Sequence, residues 1–173
     1  MATFEAIASQ EITSAISNLT FSSIPATYQH LQLRIQCRAT NASNSTNLIL
    51  RFNGVTTSIY GWGQIFGSGS SVGVNQQANV SAITVQYYPA GTSASNHWGS
   101  AIIDIAEYSS TTKFKTTRAL MGGADGGATF AGVVSHSYGI FRDTPAISSI
   151  YIQNAGGSFV AGSVFSLYGL AGA

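Results

Sequence analysis

Residues 28–39 read YQHLQLRIQCRA. Leu31, Leu33, Ile35, Cys37 and Ala39 fall on one side of an extended chain. His30, Gln32, Arg34, Gln36 and Arg38 fall on the other, an unbroken period-two alternation. A helix would gather Leu31, Ile35 and Ala39 but turn Leu33 and Cys37 to the opposite side. The stretch is therefore predicted to be a half-buried strand, one face packed and one solvated.

The same reading extends in both directions. Strands are predicted at residues 3–8, 16–21, 48–53, 57–66, 82–88, 97–107, 114–120, 133–141, 147–153 and 163–168. Leu48, Leu50 and Phe52 repeat the alternation, and Asn53-Gly54 closes it with a turn pair. No window carries apolar residues at helical spacing over a dozen positions, and a parallel sheet would need crossover helices. About ten short strands with Ser, Gly, Asn and Thr between them predict an all-β fold, an antiparallel two-sheet sandwich that is jelly-roll-like. Without an internal repeat or linker, residues 1–173 are expected to form a single β-sandwich domain. Two small-residue stretches read as long loops, GSGSSVGVNQQANVS at 67–81 and GGADGGATFAG at 122–132.

Composition narrows the function classes. Apolar residues make up 45%, enough for a core, but only 8% are charged, against about 25% in ordinary soluble domains. Solubility must rest on Ser, Thr, Asn and Gln, which suits a surface meant for assembly. A net charge of +1 offers no basic patch for nucleic acid. Lys113, Lys115 and Arg118 form the one cationic cluster and are expected to solvate a strand face. The single cysteine, Cys37, sits in the apolar register and reads as a buried, inert thiol. Neither a secretory signal nor an apolar run of membrane-spanning length is present, so no membrane partner is expected.

No motif carries convincing chemistry. Residues 69–73, GSSVG, match a serine-hydrolase elbow, but that elbow works only between a strand and a helix. Asp104 and Glu107 are the closest acids, and three positions on a strand put them on opposite faces. His30, His97 and His136 have no ligand spacing, and Asp125 alone cannot build a calcium loop. Asn-x-Ser/Thr triplets at Asn18, Asn41, Asn44 and Asn79 follow from composition. No cofactor, metal or catalytic residue is predicted.

The aromatics are more informative. Tyr60, Trp62 and Phe66 interleave with glycine in IYGWGQIF, Tyr87-Tyr88 precede Pro89, and Trp98, Tyr138 and Phe141 follow. Tyr60, Trp62, Phe66, Tyr88, Trp98 and Tyr138 are the candidate interface or binding residues, anchoring a neighbouring subunit or stacking on sugar rings. The bland reading of the same residues is core packing. Tyr87 and Tyr88 must face opposite ways, so one of them leaves the core side.

Three stretches in order, IPATYQHLQL (24–33), LRFNG (50–54) and GSVFSLYGL (162–170), resemble a group of small virion structural proteins of tailed bacteriophages, including cyanophages. Weaker matches, IAEYSSTTKFK (105–115) and TPAISSIYI (144–152), lie between them, so the likeness spans most of the chain. The resemblance implies an all-β domain on the outside of a virion and no enzyme. The expected role is capsid decoration: a cement protein on the outer surface of the head, bridging subunits of the major capsid protein as a homotrimer. The alternative expectation is a tail or fibre module that binds host-surface carbohydrate through Tyr60, Trp62 or Trp98. Residues 157–170 alternate in a way that fits a terminal strand inserted into a sheet.

Overall fold

The alternation at 28–39 is realised in a computed structural model describing residues 4–69, 71–124 and 132–171. In chain order the strands are β1 (Phe4–Glu11), β2 (Asn18–Phe21), β3 (His30–Cys37), β4 (Ser45–Phe52), β5 (Tyr60–Ser68) and β6 (Ser71–Val80). They continue with β7 (Ile83–Pro89), β8 (Gly99–Ala106), β9 (Lys115–Ala124), β10 (Gly132–Phe141), β11 (Ile150–Asn154) and β12 (Val164–Leu170). No helix occurs among the described residues.

Two antiparallel sheets face each other. One has eight strands in the order β1-β12-β3-β8-β9-β10-β5-β6, the other four in the order β2-β11-β4-β7. The chain changes sheet at most of its connections, as a sandwich requires when strands are this short. The twelve strands slightly exceed the expected ten. β12 lies between β1 and β3, so the C-terminal stretch completes the interior of the large sheet.

The extra strand is β6. Residues 67–81 read as a loop, yet Ser71–Val80 form a ten-residue strand paired with β5 along its length. Most of its side chains are exposed on both faces; the four-stranded sheet touches this edge through Gln86 of β7, which accepts from Asn75, and Val80 at its end packs on the core. Burial selects for alternation, and a strand buried on neither face has none to display. In the second expected loop, 122–132, β9 runs on to Ala124 and β10 begins at Gly132; residues 125–131, Asp125 included, lie outside the described residues.

Leu31, Leu33, Ile35 and Cys37 from β3 meet Leu48, Leu50 and Phe52 from β4 and Ile150 and Ile152 from β11 in one core. Phe52, Tyr60 and Phe141 pack as an aromatic group, with Tyr60 and Phe141 stacked at 4.9 Å. A second group joins Tyr88, Phe159 and Phe165.

Two buried cations depart from expectation. Arg38 belongs to the polar register of β3 but is covered by the segment before β8. Its guanidinium donates to the carbonyls of Ala94 (2.6 Å), His97 (3.3 Å), Ser93 (2.7 Å) and Gly91 (3.4 Å). Lys115, expected on a solvated face, is fully buried and donates to the carbonyls of Ser110 (2.7 Å), Lys113 (2.9 Å) and Thr144. Each cation supplies donors to several loop carbonyls at once, of which, among the described residues, Ala94 alone also accepts from a backbone amide, that of His97.

Candidate functional site: the outer face of the large sheet

The cross-strand register defines what the large sheet presents away from the core. One row runs Arg34, Ile102, Leu120, His136, Ile65, Val74. Beside it on one side run Ser100, Gly122, Val134, Gly67 and Val72. On the other run Gln32, Asp104, Arg118, Tyr138, Gly63 and Gln76. Ile65, Val72, Val74, Ile102, Leu120, Val134 and Tyr138 are all exposed. Neighbouring strands lie about 4.8 Å apart, so from β8 to β6 this apolar field is about 20 Å wide. Contiguous exposed apolar patches on this scale mark interaction surfaces.

β10 shows the unusual placement most clearly. Its core-facing residues are Val133, Ser135, Ser137, Gly139 and Phe141, and its outward residues include Val134, His136, Tyr138 and Ile140. Along most of the strand the small and polar side chains go inward and the larger apolar ones outward. The inward choice follows from a close approach of the two sheets. A Cβ on Gly139 would lie 2.7 Å from Ile83 of β7 and 2.6 Å from Thr117 of β9. Ser135 Oγ donates to the Gln86 carbonyl of β7.

Of the six aromatic candidates, only Tyr138 reaches this outer face. A Cβ on Gly63 would sit 2.5 Å from the Tyr138 ring, so only glycine lets the ring lie across β5. A shallow groove of about 640 Å³ lies beside it, lined by Ile65, Val74, Gln76, Arg118 and His136. Arg118 pairs with Asp104 at 2.8 Å, and Gln32 donates to the same carboxylate.

Tyr60, Trp62 and Tyr88 are buried: of the two readings of these residues, the core-packing one holds, and they are not available as interface residues on the surface of the chain. Tyr60 Oη donates to the Val55 carbonyl and accepts from the Phe52 amide. Tyr88 Oη donates to Asn154 Oδ1 at 2.5 Å, within a network that includes Thr46 and Asn41. Burial, then the nearby Cys37, raises its phenol pKa. Burial also raises the Cys37 thiol, which leaves it neutral and inert. Phe66 is half-buried against Tyr87, and Trp98 is half-buried over Gly162. Tyr60, Trp62 and Trp98 therefore form no shared stacking platform. An aromatic between glycines in a strand looks the same in sequence whether it faces the core or solvent.

The chemical motifs also find structural settings. Ser71 opens β6 within an antiparallel hairpin, where no helix makes an elbow. Glu107 is tied to Lys113 at 3.0 Å, and hydrogen bonds from Lys113 and Gln29 hold its carboxyl below the usual range. His30 Nδ1 accepts from the Glu107 amide. No three His, Cys, Asp or Glu side chains converge as metal ligands among the described residues.

The stretches behind the phage resemblance turn out to be joints of the scaffold. Tyr28 lies flat over Gly169, bringing YQHLQL against LYGL. Asn53, left-handed at φ 53°, accepts at Oδ1 from the Ser148 and Ser149 amides and donates to the Ala146 carbonyl. Tyr108 Oη donates to the Pro25 carbonyl. No family model matches this sequence, and no curated protein or solved structure matches it.

Proposed function

We propose that the protein is a non-enzymatic structural component of a tailed-phage virion, a capsid decoration (cement) protein. It binds the outer surface of the head through the outward face of its large sheet and bridges neighbouring subunits of the major capsid protein. The observation that carries this reading is the exposed apolar field from Ile102 to Val74, on a chain of which only 8% is charged. Burying it contributes roughly 25 cal/mol per Å², and several weak contacts engaged together hold far more firmly than one. The ordered resemblance of the 24–33, 50–54 and 162–170 stretches supplies the virion context.

Counting copies per purified particle tests the assignment: hundreds support the head, and a handful overturn it in favour of the tail. On depleted heads, Leu120→Asp is expected to abolish rebinding while leaving the fold intact. Binding should change little with NaCl, because apolar contacts are not screened. Steep release by salt would overturn the apolar docking mode.

One observation favours the tail or fibre reading, in which the module binds host-surface carbohydrate. The exposed Tyr138 ring borders a groove alongside Arg118 and Gln76, the combination of a stacking surface with fork-like donors that sugar binding uses. Glycan-array binding that disappears in Tyr138→Ala would establish it.

A further inference from the structure

The sandwich has four sheet edges, and three are blunted against pairing. β2 spans only four residues. β7 carries a bulge at Tyr87, which has φ 74° and no cross-strand partner, and it ends at Pro89. β1 bears Glu5 and Glu11 and is bulged between Ala6 and Ala8. These are the usual devices by which proteins prevent edge-to-edge association. β6 differs in where its one bulge lies: Asn79, at φ 56° and without a cross-strand partner, sits next to the strand's end and leaves the rest of the edge straight. The strand is ten residues long, SVGVNQQANV, has no charge and no proline, and keeps an unbroken register with β5 from Ser71 to Ala78.

We propose that β6 pairs with β6 of a second copy, antiparallel, about a two-fold axis near Asn75 and perpendicular to the sheet. The two eight-stranded sheets then become one continuous sheet. Three features select a second copy as the occupant. The strand is uncharged, so an identical strand is not repelled. Gln76 and Gln77 stand at its middle, next to Asn75, whose own amide donates to Gln86 of β7, and side-chain amides both donate and accept, so they complement themselves across a two-fold axis. The apolar field of the outer face also runs off the sheet at this edge, where Val72 (76% exposed) and Val74 (75%) are its most exposed members. Pairing there joins two fields into one surface that spans both copies. The inference does not depend on the capsid reading, and it replaces the expected trimer with a dimer.

A rim about 27 Å long and about 12 Å thick, the regular part of the strand, buries on the order of 300 Å² per copy, which places the dimer at the weak, micromolar end of specific association. Sedimentation equilibrium of the full chain, up to about 300 µM, is expected to show a monomer–dimer equilibrium. Val74→Lys should raise the dissociation constant at least about tenfold without shifting the unfolding curve, since the side chain is exposed in the monomer. Asn75→Cys, oxidised with copper-phenanthroline, should give a disulfide-linked dimer, while Ser9→Cys on the β1 edge should not. A chain that stays monomeric, forms a trimer, or dimerises unchanged with Val74→Lys overturns the inference. A monomer that still binds heads leaves the proposed function standing.

Discussion

The two faces of the large sheet invite comparison because they contain similar residues with opposite fates. On β8, Ile103 is fully buried and its neighbour Ile102 is 43% exposed. On β10, Val133 is buried and Val134 exposed. The inner face meets a second sheet; among the described residues no element covers the outer face. Apolar side chains remain outside where, at Ser135, Ser137 and Gly139, small residues have gone inside. Such a pattern does not serve the stability of an isolated chain. It makes sense when the outer face acquires a cover of its own, as the capsid reading supplies.

The sharpest test of where the inner layer ends is Arg38, an outward-register residue that loop 91–97 has enclosed. Arg38→Ala strands the carbonyls of Gly91, Ser93 and His97 and is expected to cost about 4 kcal/mol in urea unfolding, the largest of the expected effects. A loss under about 1 kcal/mol would mean that water replaces the guanidinium freely and that the loop is not part of the interior. Next come the paired isoleucines. Ile103→Ala should cost about 3 kcal/mol and Ile102→Ala under about 1 kcal/mol. Equal losses would erase the distinction between the faces.

A smaller effect of opposite sign is expected at Ser137. Its buried hydroxyl has no partner among the described residues, so Ser137→Ala should stabilise by up to about 1 kcal/mol. A destabilisation would reveal a partner for that hydroxyl in the inter-sheet seam. The smallest effect concerns pH. Glu107 is held below the ordinary carboxylate range, so its contribution is present above about pH 4.3 and is lost as pH falls through its lower folded value. Glu107→Gln should flatten the acid limb of the stability profile, as read from urea midpoints between neutrality and the onset of acid unfolding. An unchanged limb would show that the Lys113 pair is too solvated to matter.

What is legible in the chain tracks burial. β3, β4 and β8 alternate because one face of each is sealed, and each is readable from its own residues. β6 is not readable, because a strand exposed on both faces leaves no hydrophobic period. The aromatics divide for a related reason. Tyr60, Trp62 and Tyr88 satisfy their rings and hydroxyls within the sandwich, while Tyr138 occupies the strand whose inward positions are claimed by small residues. The motifs of the resemblance, read as marks of a family, prove to be contacts such as Tyr28 on Gly169 and Asn53 on residues 146–149.

The amino-acid sequence by itself determined that this chain is built of short antiparallel strands in two layers, because period-two alternation has no other low-energy use. Only the tertiary structure decided which of the two registers of β10 faces the core, and which edge was left open. Those choices depend on how closely the facing sheet approaches and how far it extends, and neither distance is written in any one strand.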